Sequence, residues 1–213
     1  VFISNTHFDT TRANIEFSGA EAVDCLTEVG KSPSTEHPFK GNLDIKKLND
    51  TINEWGAENV GAVIITVTNN SGGGQPVSMK NAKEVAKICK EQGVLFILDA
   101  CRIAENAYFI KQREEGYENY TYKQIAQEMF SLADGCTMSA KKDAIVNMGG
   151  FLALNDEKLA NECKNLLIIT EGFSTYGGLS GRDMEALAVG FQEVFDKDYL
   201  HYRIASTTYL GDK

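Results

Sequence analysis

Apolar and polar positions along the chain alternate between short apolar runs and amphipathic stretches. Residues 1–4, 22–26 and 94–98 read as strands, and 60–68 is a β-branched run of the kind that fits a buried sheet. Residues 133–138 read as another short buried strand, 148–154 as one returning from it, and 166–170 as a further apolar strand. Between them lie helical periods. Ile45, Leu48, Ile52 and Trp55 recur at helical spacing over 44–55. Ser78 reads as the cap of a helix that runs to Gln92 with Gly93 as its stop, and Thr121 as the cap of a helix over 121–132. Residues 103–115 and 156–165 are also helical, and a long helix begins near Arg182, with Ala186, Val189, Gly190 and Val194 on its inner face. Polar or glycine-rich loops fill 5–12, 31–40, 69–76 and 172–181.

The apolar runs are continuous rather than alternating, and strands take turns with helices. This pattern predicts an α/β fold, a mostly parallel sheet covered by helices on both faces. In such a sheet the strand C-termini form the ligand crevice. Asn70, Asp99 and residues 139–142 each follow a predicted strand, so they should converge there.

Composition narrows the partners. With 213 residues and 43% apolar content, the chain can bury a proper core in one or two domains. A net charge of −9 argues against nucleic acid and against an anionic membrane surface. No apolar run approaches the roughly 20 residues that span a bilayer, and the start does not read as a signal peptide. The five cysteines show no metal spacing and predict reduced, buried thiols in a cytoplasmic protein. His7, His37 and His201 read as surface residues. The chain starts without Met inside a predicted strand, which suggests a piece of a longer polypeptide.

Candidate chemistry centres on ADGCTMSAKKD at 133–143 and on the strand that ends in Asp99. Two lysines behind a hydroxyl at a strand end are unusual. If Lys142 faces a dry cleft, desolvation and the neighbouring Lys141 both favour its neutral, nucleophilic form. A buried carboxylate at one strand end and a lysine at the next are the pair that a pyridoxal phosphate (PLP) site requires, one for the ring nitrogen and one for the covalent link. Each half also has a plain structural reading: Asp99 as a helix N-cap, the lysines as a charged loop.

ENAYFIKQRE at 105–114, ADGCTMSAKKD at 133–143, VNMGGFL at 146–152 and EGFSTYGGLSGRDMEA at 171–186 resemble the β-eliminating lyases, over nearly the whole chain. The resemblance implies a PLP-dependent transferase-like fold of type I, with residues 1–213 as a PLP-binding large domain that lacks an N-terminal segment and the C-terminal small domain. It implies Lys142, the second lysine of S-x-K-K-D, as the covalent lysine, with Lys141 near the phosphate or an ion-binding loop. Asp99 is implied to hold the pyridine nitrogen, Asn70 and Arg102 the 3′ oxygen, Ser139 the phosphate, and Phe8 to stack on the ring. The backbone of Asn147 is implied in a monovalent-cation site for potassium. Tyr176 with Gly177 and Gly178 fits a lid or subunit-contact loop, and the family implies a cytoplasmic homotetramer acting on a small amino acid.

Members of this family release indole from L-tryptophan or phenol from L-tyrosine, and Asp9 is where they part. The indole-releasing members resemble Phe-Asp-Thr-Thr, as at residues 8–11, while the others carry threonine in place of Asp9. The wording of 133–138, 146–152 and 209–213 leans the other way. Asp9 carries more weight, for tryptophan, because it would touch the chemistry, and phenol release from L-tyrosine is the alternative. A further alternative is a non-catalytic PLP-binding core, since the arginine for the substrate carboxylate belongs to the C-terminal domain.

Overall fold

In a computed structural model, which describes residues 1–173 and 180–213, six strands form a single sheet in the order β2-β1-β3-β4-β5-β6. The strands are β1 (Phe2–Ser4), β2 (Ala22–Asp24), β3 (Ala62–Thr66), β4 (Phe96–Asp99), β5 (Gly135–Ser139) and β6 (Gly150–Leu154). All neighbours are parallel except β5 and β6, an antiparallel pair at the edge. The helices are α1 (Asp9–Phe17), α2 (Glu28–Lys31), α3 (Ile45–Trp55), α4 (Met79–Gln92), α5 (Ile103–Arg113), α6 (Tyr122–Ser131), α7 (Ala140–Asp143), α8 (Glu157–Thr170), α9 (Gly181–Glu193) and α10 (Lys197–Gly211).

Local chemistry explains most of these boundaries. Asp44, Ser78, Thr121 and Asp156 each accept a backbone N–H from the first turn of their helix, and Thr121 closes a reciprocal capping box with Gln124. Gly93 ends α4 at φ +68°, the left-handed conformation that a residue without Cβ adopts at no steric cost. Val63, Ile65, Phe96, Leu98, Cys136 and Met138 bury one sheet face completely with the inner faces of α3 to α6. Ile64 and Ile97, a registered pair, share the opposite face and are only half buried.

Five expectations change. Residues 166–170 are not a strand: α8 runs unbroken to Thr170, because no Gly or Pro stops it and no strand stands beside them to pair with. As a result Leu166 and Ile169 lie largely in solvent. The lysine segment is a single helical turn, α7, rather than an open loop, and part of the predicted loop at 5–12 is the first turn of α1. On α9, Ala186 and Val189 are exposed, and only Gly190 and Val194 of the predicted inner face are buried. His7 is buried rather than at the surface: its Nδ1 lies 2.7 Å from Asp24 Oδ1, and its backbone N–H donates to the same oxygen.

The five cysteines are all unpaired, and four of them are buried. Among the described residues no helix is long and apolar enough to cross a membrane.

Gly190 is where α9 meets the lysine turn. A Cβ there would stand 1.9 Å from the carbonyl oxygen of Ala144, so the backbones touch only because the side chain is absent. Gly190→Ala is expected to lower unfolding free energy by about 1–3 kcal/mol through overpacking, measured by urea denaturation.

Candidate active site

The strand order reverses direction between β1 and β3, and the segments leaving those two strands open the crevice. Phe8 follows β1, Asn70 follows β3, Asp99 ends β4, and Ser139 ends β5 just before the α7 lysines. Register sets their level: Thr66 stands beside Asp99, and Asp99 beside Thr137. Asn69 Nδ2 donates to Thr6 Oγ1 at 3.2 Å, and Ser71 Oγ to the His7 carbonyl at 3.0 Å, so the loops after β1 and β3 are joined directly.

Asp99, Lys142 and Phe8 come together. Lys142 Nζ lies over the Phe8 ring, 4.7 Å from its centre, and the lysine is half-buried. Burial pushes the Asp99 carboxyl above the usual carboxylate range, and the positive charge of Lys142 works against that shift. The Cys101 N–H, 3.4 Å from Oδ1, and the Thr66 hydroxyl, 3.5 Å from Oδ2, also favour the anion. A cationic N–H placed against this carboxylate would bring the same kind of stabilisation.

Asn70 and Arg102 are also joined: Arg102 Nη1 donates to Asn70 Oδ1 at 2.7 Å. The guanidinium is therefore held at the crevice mouth rather than swinging free, with Glu105 a looser partner at 3.9 Å. Ser139 sits half-buried at the start of α7, where its hydroxyl makes no cap bond. Lys141 is exposed on the outside of the same turn, and Asn147 is exposed in the following loop. Asp9 is exposed at the first position of α1, where a carboxylate suits the helix dipole. Tyr176, Gly177 and Gly178 lie outside the described residues.

Sequence reasoning missed several groups that shape this crevice. Asp143 is buried, with Oδ2 accepting the N–H of Ala104 at 2.6 Å and of Glu105 at 3.3 Å. Asp24 ties His7 and Arg12, flanking Phe8 on both sides in the chain. Asn5 bridges β1 to β3 in both directions: Thr66 N–H donates to its Oδ1, and its Nδ2 donates to the carbonyls of Thr66 and Gly41. The usable signal was a carboxylate or amide directly beside a predicted strand end or beside the lysine pair. A separate, mostly apolar groove of about 670 Å³ lies between β6 and α8, lined in part by Phe151, Leu167, Phe173 and Met184. None of the candidate residues lines it.

Against known proteins, the family model described as beta-eliminating lyase matches residues 3–213. The chain belongs to the β-eliminating lyase family. The tryptophanase of Salinibacter ruber is 60% identical over 98% of this chain and 44% of its own length. The tyrosine phenol-lyase of Fusobacterium nucleatum is 49% identical over 98% of this chain and 45% of its own. The chain thus spans less than half the length of the curated relatives it matches. Among solved structures, a putative L-allo-threonine aldolase from Listeria monocytogenes superposes with TM-score 0.66 at 17% identity, covering 95% of this chain and 49% of that one. The PLP-bound C-S lyase of Staphylococcus hominis gives 0.60 at 16%, covering 99% and 47%. The expected type I fold, a mostly parallel sheet with helices, is therefore the fold of this chain.

Burial raises the Asp143 carboxyl to about 7, with Glu105 adding to the shift and the two backbone N–H groups opposing it. Its native value lies above the ordinary 3.8, so between about 4 and about 7 the folded state keeps a proton that the unfolded state has lost. Asp143 should therefore lose stability as pH rises through that window and level off above it. The unfolding free energy relative to Asp143→Asn is expected to fall with a slope of at most about 1.4 kcal/mol per pH unit, read from urea titrations across pH 4–8.

Proposed function

We propose that this chain is the PLP-binding large domain of a lyase that eliminates indole from L-tryptophan, leaving pyruvate and ammonium. The observation that carries the reading is the meeting of Asp99 and Lys142 at adjacent strand ends beside Phe8, in a chain of the β-eliminating lyase family. The donor set suits the cofactor: a half-buried acceptor for a protonated ring nitrogen, a reachable amine, an aromatic face, and a hydroxyl and a guanidinium at the rim. When bound, PLP supplies an electron sink for the carbanion at the substrate α-carbon.

The chain's own residues then divide the work. Asp99 accepts the ring N–H in a charge-assisted hydrogen bond and keeps that nitrogen positive. Arg102, oriented by Asn70, presents its guanidinium to the 3′ oxygen and keeps it ionised. Phe8 packs on the ring face, and Ser139 with Lys141 serves the phosphate. Lys142 Nζ would carry the covalent link to the cofactor and, as a free amine, would move the proton at the α-carbon. Indole leaves only after its C3 has gained a proton, and Asp9 assists that step.

Tryptophan is preferred over tyrosine as the substrate for two reasons: Asp9 stands where the phenol-releasing members carry threonine, and the tryptophanase relative shares more identity than the tyrosine phenol-lyase. Potassium at the Asn147 backbone, a homotetrameric assembly and a cytoplasmic location belong to the same proposal.

In the full-length protein, Lys142→Ala should abolish both the visible absorbance that PLP gains on binding and product release, whereas Lys141→Ala retains the absorbance. Equal loss in both variants would refute the assignment of the covalent lysine. Product analysis with tryptophan and tyrosine in parallel, with potassium present, should yield indole. Asp9→Thr should cut kcat/KM for indole release by at least about tenfold, or about 1.4 kcal/mol.

A further inference from the structure

Asp143 directly follows Lys142 in the chain, and its carboxylate does not serve its own helix. Oδ2 reaches across to α5 and accepts from Ala104 and Glu105, the second and third residues of that helix. These are two of the N–H groups that a helix start leaves without partners. The residue in the cap position of α5 is Arg102, whose guanidinium has donors only, and its side chain makes no cap bond. The cap of α5 is therefore lent by the turn that bears the lysines.

That exchange has a mechanical consequence. α7 has only four residues, too few to hold its own shape, and its last residue is the one anchored to α5. Ala140 and Ala144, on either side, are fully buried, so the turn has a fixed base while Lys142 projects from it. The far side of the contact is also fixed. Glu105, one of the two donors, uses its side chain to grip Arg203 of α10, with Nε and Nη2 each 2.7 Å from Oε1.

We propose that Asp143 is a positioning residue whose carboxylate latches the α7 turn to the start of α5, fixing Lys142 Nζ over Phe8 and level with Asp99 and Arg102. The proposal rests on Lys142 being the covalent lysine, and it assigns Asp143 no contact with substrate or cofactor. Latching spares the amine the freedom that a loose turn would have to give up each time the site is assembled.

The test uses the full-length protein with Asp143→Ala and Asp143→Asn. Acetic anhydride at limiting concentration labels exposed amines, and peptide mass spectrometry gives the Lys142:Lys141 acetylation ratio without any cofactor. Borohydride trapping after incubation with PLP gives the apparent affinity at Lys142. At pH 8, where the carboxyl has lost its proton, Asp143→Ala should raise the acetylation ratio at least about threefold and weaken PLP binding about tenfold, the scale of one lost hydrogen bond to a charged group. Asp143→Asn, which keeps a neutral acceptor oxygen, should fall between Asp143→Ala and the unmodified protein in both readouts. A lower Tm with an unchanged acetylation ratio overturns the latch and leaves Asp143 a merely structural residue. If Asp143→Ala does not fold, an unchanged ratio in Asp143→Asn overturns it equally. Failure of PLP to be trapped at Lys142 in the unmodified protein overturns the cofactor reading instead, and the acetylation ratio decides the latch in either case.

Discussion

The parallel register of the central strands is the constraint from which the rest follows. Thr66, Asp99 and Thr137 stand side by side because β3, β4 and β5 pair in one phase. A slip of one residue would turn Asp99 to the other face, among the side chains of Leu98 and Ile65, where an unpaired carboxylate has no partner. Register is thus enforced by the apolar face: Val63, Ile65, Phe96 and Leu98 are buried only in this phase. Function at the crevice comes from the core beneath it.

Polar side chains, most of them buried, lock the strand ends where the apolar core runs out. Asn5 replaces missing ladder bonds between β1 and β3, Asp24 holds His7 and Arg12 on either side of Phe8, and Asp143 caps α5. Asn5 and Asp143 spend a desolvated polar group on geometry, which makes sense only where position matters more than stability. The loop after α7 adds to the picture. Ile145, a β-branched residue, holds φ +56°, a conformation that costs such a side chain of order 1–3 kcal/mol.

Charge is distributed in the same spirit. The chain is strongly acidic overall, yet at the crevice Lys142 stands against Asp99 and Arg102 is held by Asn70. Behind them Glu105 and Asp143 face the same small volume, and Arg203 offsets part of that repulsion.

Much of this was legible in the residues. The apolar runs gave the strands of the parallel sheet, Ser78, Gly93 and Thr121 marked their helix ends, and a carboxylate and a lysine at strand ends pointed to one crevice. These are local signals, carried by one residue and its near neighbours. Residues 166–170 failed because an apolar run has no intrinsic period that separates strand from helix; only the absence of a pairing strand decides. His7 was misread and Asp143 overlooked for a related reason. Whether a polar side chain is buried depends on a partner far away in the chain, Asp24 for one and the N-terminus of α5 for the other. The sequence by itself therefore determined most of the elements, the family and the chemical types at the crevice. Only the tertiary structure decided how the lysine turn is held, because that hold is a hydrogen bond between segments that no local pattern connects.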